Sequence, residues 1–311
     1  MKITLITACY NSAATIGTAI ESVLSQKGVD VEYIVVDGGS KDGTVEIIKE
    51  YAEKTLNSQL LTPNFTFRWL SEGDQGMYDA INKGIRMATG DIIGILNADD
   101  VLATDDTLAH IAAHFEEGQT VENRSDLIST VSNNKCIDAL YADIRFVKRR
   151  DVASPSHGRH RGRPSRLKRG DVAFTSQESI ESLRSAPTVR YCSAAKWKPW
   201  MFRFAAMVPH PSFYARRECF ERLGGYSLDY RICADFELEL RYLYLAKLRA
   251  AYLPECVVVM RMGGASTAGW RSNVEINKED LRALRAHGIW SCLPLIYLKY
   301  FFKIWGFVFK K

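Results

Sequence analysis

Apolar residues in the first hundred positions fall into short blocks separated by stretches of helical period. Ile3 to Thr7 reads as a first strand, Val31 to Val36 as a second, Phe65 to Leu70 as a third and Asp91 to Leu96 as a fourth. The second is a nearly continuous apolar run, as expected of a strand covered on both faces. Between the strands, Ser12 caps a helix running to about Gln26, Thr44 opens one running to about Lys54, and Gly76 to Ala88 sets Met77, Ile81 and Ile85 at i, i+4 spacing for packing on the sheet. Strands alternating with helices of this length predict βαβ units and a mostly parallel sheet, hence an α/β fold.

The polar interruptions stand where such sheets bind ligands, beyond the carboxyl ends of the strands. Tyr10-Asn11 follows the first strand, Asp37-Gly38-Gly39 the second, Glu72 to Gln75 the third and Asn97 to Asp100 the fourth. Asp99 and Asp100 close an apolar run as adjacent carboxylates. Charges in that position call for a partner, and oxygen ligands suit Mg²⁺ or Mn²⁺, cations that also hold phosphate oxygens. Asp37 is placed to accept hydrogen bonds from a base or ribose, with the backbone of Thr7 to Cys9 close to the same ring. Asp37 is also the kind of residue that opens a turn before Gly38-Gly39.

The second half is less regular. It suggests a helix over 104–117, a strand from Leu140 to Phe146, a helix around 216–223, a longer one from about Asp235 to Ala246 and a late strand from Val257 to Met260. At 311 residues and 47% hydrophobic content the chain can bury a substantial core. Its seven cysteines include no C-x-x-C pair, which argues against a disulfide framework or zinc site and fits a reducing cytoplasm. The apolar stretch Ile3 to Ala8 is too short and β-rich for a signal peptide. The net charge of +5 is uneven: basic residues crowd 145–169 against one acid, Asp151. Residues 149–170 read as a loop. Without interleaved aromatics the run suits phosphate or anionic lipid, not nucleic acid.

Three motifs, Thr7 to Asn11, Val36 to Thr44 (Val-Asp-Gly-Gly-Ser-Lys-Asp-Gly-Thr) and Leu96-Asn97-Ala98-Asp99-Asp100, resemble the family 2 inverting glycosyltransferases of the GT-A fold. The resemblance is strong over residues 1–102 and patchy beyond. It implies a Rossmann-like sheet flanked by helices, with 1–102 as the nucleotide-sugar-binding half, 103–270 as the acceptor-side half and 271–311 as a helical tail. It also implies a nucleotide-diphosphate sugar donor at Thr7, Ala8, Tyr10, Asn11, Asp37, Gly39 and Ser40, and a metal at Asp99. Asn97 departs from the family's D-x-D; the metal role then stays with Asp99, while Asn97, beside Ala98, faces the ribose or a metal-bound water.

The pattern from Gly76 to Gly84 is similar to a surface-polysaccharide subgroup and implies that Gly76, Tyr78, Asp79, Asn82 and Lys83 lie near the donor's sugar and diphosphate. Read without it, Asp79 and Lys83 are an ordinary i, i+4 pair. Inverting transfer needs one general base. Cys233 to Leu240 resembles the family's acidic motif and implies Asp235 as that base; on its own Asp235 reads as a helix N-cap. His210, its direction restricted by Pro209 and Pro211, is implied on the acceptor or diphosphate side. No Q-x-x-R-W pattern of processive synthases is present. A sugar nucleotidyltransferase would carry a Gly-rich basic loop after the first strand, which Thr7 to Ser12 lacks; a non-catalytic nucleotide-sugar-binding protein stays open.

In the tail 289–311, Lys299, Lys303 and Lys310 fall on one helical stripe and Leu298, Phe301, Phe302, Trp305 and Phe309 on another. Charges interrupt it too often for a span, and the pattern fits a helix lying in the interface of an anionic membrane. With it goes a cytoplasmic enzyme, peripheral on the inner membrane face, acting on a polyprenyl-diphosphate-linked saccharide.

Overall fold

The chain builds one continuous sheet from both halves. In the computed structural model, residues 1–57, 64–117, 137–148, 176–262 and 270–299 are described. The first half supplies β1 (Lys2–Cys9), β2 (Asp30–Asp37), β3 (Phe65–Ser71) and β4 (Ile92–Ile95), all parallel, with β1 between β2 and β4. They alternate with α1 (Ile16–Leu24), α2 (Thr44–Asn57) and α3 (Met77–Met87). Side chains obey the period of two. Leu5, Tyr33 and Ile92 join one buried cluster with α1 and Ile48 of α2, while Ile6, Ile34 and Ile93 join another that holds Tyr78 and Ile81 of α3.

The second half continues the sheet. After β5 (Val101–Leu102) and α4 (Thr107–Glu117) come β6 (Ala139–Val147), α5 (Ser176–Ser185), β7 (Thr188–Cys192), β8 (Tyr214–Arg216), α6 (Arg217–Leu223), α7 (Ala234–Glu239), β9 (Ala250–Arg261) and α8 (Trp270–Ala286). The strand order is β3-β2-β1-β4-β8-β6-β9-β5, with β7 on β6. β8 is antiparallel to both β4 and β6, so β6 runs in the direction of β1 to β4 and its carboxyl end lies at the same end of the sheet. β9 pairs with β6 along its length, leaving the other edge to β8 at Ala139–Leu140 and to β7 at 144–147.

The α/β reading and mostly parallel sheet hold. Several details differ. Met77 is 50% exposed; the sheet-facing side of α3 is formed by Tyr78, Ile81 and the partly buried Ile85. The helix expected over 235–246 is interrupted: α7 ends at Glu239 and Leu240–Leu245 forms a π-helical turn. The late strand begins at Ala250, well before Val257, and β7 has no counterpart in the sequence reading. The basic loop 149–170 and residues 300–311 lie outside the described residues.

The described part of the tail corrects one expectation. Residues 293–299 are helical and Ile296 is fully buried. Lys299 is turned inward, its Nζ 2.9 Å from Asp280 on α8, so it does not join a solvent- or lipid-facing stripe. No helix among the described residues is long and apolar enough to cross a membrane.

The β4–β8 contact is closely fitted. A Cβ on Gly94 would come within 2.2 Å of the fully buried Tyr214 ring. Gly94→Ala should therefore lower unfolding free energy by about 1–3 kcal/mol, read by urea denaturation. An unchanged midpoint would contradict this packing.

Candidate active site

The ends of β1 and β2 are joined by side chains that replace backbone pairing where the strands stop. Asn11, at φ +49°, donates its backbone N–H to Ser40 Oγ (2.7 Å) and accepts from the Lys41 N–H (3.0 Å). The N–H of Ser12 reaches Thr44 Oγ1 (2.8 Å) and that of Ala13 reaches Asp42 (3.0 Å). The Ser-Lys-Asp-Gly-Thr part of the turn thus binds the two loops together. Tyr10 projects beside it, 62% exposed. Thr7 is fully buried inside the β1–β2 ladder, its hydroxyl on Tyr33 (2.9 Å), so it is not exposed to a ligand as expected; Ala8 is half-buried.

Asp37 differs from its expected role as a free acceptor. It is fully buried, and its carboxylate accepts from the N–H groups of Gly39 and Ser40 (3.0 Å each), from Ser71 Oγ (2.7 Å) and from Ser40 Oγ. Burial pushes its carboxyl up, but Ser40, Ser71 and the turn amides outweigh this and hold it below the usual carboxylate range. Asp37 therefore shapes the turn that presents Gly39 and Ser40. The loop after β3 closes over that turn: a Cβ on Gly38 would press on the Asp74 carboxylate, which would have to move aside.

At the end of β4, Asp99 and Asp100 separate in environment. Asp99 is half-buried. Asp100 is 1% exposed and accepts from Asn97 Nδ2 (2.8 Å) and the Arg261 N–H (3.2 Å). Burial, and then the Asp99 charge, push the Asp100 carboxyl up. Asn97, expected to face a ribose or metal-bound water, directs its amide N–H to Asp100, and Ala98 is buried. Among the described residues no three His, Cys, Asp or Glu side chains converge as a metal cluster.

Helix α3 ties the two halves together. Asn82 pairs in both directions with the backbone of Tyr226: its Nδ2 donates to the carbonyl and its Oδ1 accepts the N–H, both at 2.8 Å. The Tyr78 hydroxyl donates to the Ile232 carbonyl (2.5 Å) and stands 3.3 Å from Asp235 Oδ1, while its ring stacks on Tyr226 (5.5 Å). Tyr78 and Asn82 thus hold the segment carrying Asp235. Lys83 reaches Glu72 (2.9 Å), the Gly73 carbonyl (2.9 Å) and Asp79 (3.8 Å). With Asp79 accepting the Gln75 N–H (3.1 Å) and Asp74 accepting that of Gly76 (2.8 Å), these residues clasp the 72–76 loop.

Asp235 lies in the first turn of α7, half-buried, and accepts the Phe236 N–H (2.8 Å). Cys233, not Asp235, occupies the N-cap position. His210 packs edge-on to Tyr226 (5.7 Å), with Nδ1 buried and without a hydrogen-bond partner among the described residues. Burial pushes its imidazole down, against the pull of Asp235, and keeps it neutral at pH 7. Glu239, one turn after Asp235, is fully buried; burial, and then the Asp235 charge, push its carboxyl well up, against the backbone N–H of Val208. Both lie close enough to Asp235 for its charge to act on them, and His210, just ahead of β8, lies at the same end of the sheet as the close of β4.

The sequence reading missed three groups. Ser71 completes the acceptance at Asp37, and Tyr226 joins α3 to Asp235. Asp143 on β6 is 4% exposed and accepts from Tyr191 (3.0 Å), Tyr252 (2.9 Å) and the Ala194 N–H (2.8 Å). Its signal was available: Tyr141-Asp143 alternates with Leu140-Ala142-Ile144, a carboxylate inside a strand. A cavity of about 460 Å³ lined by Met1, Asp30, Asn64 and Glu116 opens at the opposite end of the sheet and holds none of these residues.

The mainly parallel sheet flanked by helices, with its loops gathered beyond the strand ends, has the GT-A fold. Solved structures share it. TarS from S. aureus superposes with a TM-score of 0.53 at 17% identity, over 91% of this chain and 40% of that one. Its fragment 1–349 in complex with UDP-GlcNAc gives 0.55 at 15%, over 91% and 66%. The mannosyltransferase PcManGT from Pyrobaculum calidifontis, in complex with GDP-Man and Mn²⁺, gives 0.52 at 19%, over 99% and 81%. The chain thus spans less than two thirds of either TarS chain. The family description "Glycosyl transferase family 2" matches residues 4–126. A PGL/p-HBAD biosynthesis glycosyltransferase of Mycobacterium bovis is 27% identical over 274 residues, 88% of this chain and 80% of the relative. The match to this family thus lies in residues 4–126, which hold β1 to β4 and their strand-end loops.

Two outcomes follow from this geometry. Asn82→Ala should destabilise the protein by about 2–4 kcal/mol, since two backbone groups lose their partner; loss of donor affinity with unchanged stability would instead mark Asn82 as a ligand contact. For Asp37, a depressed folded value means its stabilising contribution is present above about pH 4 and is lost as pH falls through that value. Acid denaturation should accordingly be steeper below pH ~4 in the native protein than in Asp37→Asn; equal slopes would contradict the assignment.

Proposed function

We propose that the chain is an inverting glycosyltransferase that moves one sugar from a nucleotide-diphosphate sugar to a saccharide acceptor. One observation carries the reading: Tyr78 and Asn82 of α3 hold Asp235 at the same end of the sheet as Asp99 and the β1–β2 turn. Residues 1–102 bind the donor and 103–270 supply the acceptor side. The base and ribose lie on the turn of Tyr10, Asn11, Gly39 and Ser40. Asp37 acts by shaping that turn, and Gly76, Asp79 and Lys83 act through the loop that closes on it.

The residues fit a divalent cation. Asp99 is half-buried beside a second carboxyl that burial and repulsion push toward protonation, and Mg²⁺ in nucleotide sites is held by one or two carboxylates plus phosphate oxygens, without a full protein cage. Asp99 would hold it, and such an ion supplies charge neutralisation to the departing nucleotide diphosphate. Asp235 accepts the proton of the attacking hydroxyl as that oxygen bonds to the anomeric carbon. His210, packed on Tyr226, lies on the acceptor or diphosphate side.

The names of relatives support a place in glycan assembly: one is a PGL/p-HBAD biosynthesis enzyme and another a poly-β-1,6-N-acetyl-D-glucosamine synthase from Staphylococcus epidermidis. We read the acceptor as a lipid-linked saccharide met by a cytoplasmic enzyme at the inner face of the membrane.

A thermal-shift panel of UDP-, GDP- and dTDP-sugars with Mn²⁺ tests donor binding, since a ligand of the native state raises Tm by mass action. At least one donor should stabilise the protein, and Asp99→Ala should remove the metal-dependent part of the shift. Asp235→Asn should keep the shift while nucleoside diphosphate release, with a membrane extract as acceptor, falls about 10²–10⁴-fold. Near-native release by that variant would remove Asp235 as base.

A further inference from the structure

We propose that the 3₁₀ turn Pro199–Phe204 and the segment 289–299 form one basic, aromatic face that rests on an anionic lipid bilayer. The two stretches are far apart in sequence but joined in space: Ser291 Oγ donates to the Arg203 carbonyl (2.7 Å). Between them they expose Trp200 (58%), Trp290 (75%), Tyr297 (42%) and Leu298 (41%). Trp200 is held edge-on by Phe204 (5.7 Å), so its exposed ring is supported from beneath. An indole with one wet and one apolar side belongs at a bilayer–water boundary.

Charge selects the partner. Lys196 and Arg203 are exposed and Lys198 is half-buried, and neither 193–204 nor 289–299 contains an aspartate or glutamate. A face of this sign with projecting tryptophans matches a surface of anionic headgroups. The inward pairing of Lys299 with Asp280 leaves the outer side of its helix to Tyr297 and Leu298. The face also sits against the acceptor-side machinery, because Phe202 of the same turn packs on Phe236 of α7 (5.6 Å), next to Asp235. This deepens the reading of a lipid-linked acceptor: the enzyme would meet its acceptor where the acceptor's lipid is anchored.

Co-sedimentation of the full chain with vesicles tests this without using the activity. The protein should pellet with equimolar phosphatidylcholine and phosphatidylglycerol vesicles, stay in solution with phosphatidylcholine alone, and be released by high salt. Lys196→Glu with Arg203→Glu, and separately Trp200→Ser with Trp290→Ser, should each weaken partitioning by about tenfold or more with Tm and the donor-induced shift intact. Native-like binding by the charge-reversed variant, or no binding by the native chain, overturns the proposal. So does a native dimer, indifferent to vesicles, that these substitutions convert to monomer, since the face would then belong to a second copy. Failure of donor binding alone would bear on the catalytic reading and leave this one standing.

Discussion

The arrangement depends on how Asn82 and Tyr78 grip the 226–235 segment. Two backbone hydrogen bonds from one amide fix Tyr226, and one tyrosine hydroxyl fixes Ile232 beside Asp235. Strand pairing could not do this, because Asp235 comes from a loop and helix outside the sheet. A bidentate amide on a rigid helix sets position and direction at once, which is what a base needs if it is to face a ligand held on the strand ends. Residues read in the sequence as ligand contacts thus become the means by which one half of the protein positions the other.

Buried carboxyls are treated in three ways around this end of the sheet. Asp37 receives donors from its own turn and from Ser71, which hold it ionised. Asp100 has fewer donors and the repulsion of Asp99, and is pushed up. Glu239 is fully buried and is pushed well up by burial and then by the Asp235 charge. Donors thus restore the charge at Asp37, while burial and a neighbouring carboxylate prevail at Asp100 and Glu239. Asp99 and Asp235, the two half-buried members, keep part of their surface exposed.

Much of the first half was legible in the sequence because its signals are local. Apolar blocks and turn residues located β1 to β4 and α1 to α3 within a few positions, and the strand-end polar clusters do gather at one end. What escaped was non-local. The full occupancy of Asp37 depends on Ser71 from another strand, and the pairing of Asn82 depends on Tyr226, which no periodicity marks. The π-helical turn after Glu239 and the early start of β9 arise from packing in the second half, where propensity is overridden. Met77 was assigned to the sheet by spacing alone, whereas Tyr78 can bury its ring and still satisfy its hydroxyl.

The most direct measurement is a crystal structure of the chain with its donor sugar nucleotide and Mn²⁺. The account predicts the ion and diphosphate at Asp99, the nucleoside on the Tyr10–Ser40 turn and the anomeric carbon open toward Asp235. A diphosphate bound away from Asp99, or a sugar whose anomeric carbon faces away from Asp235, would contradict it.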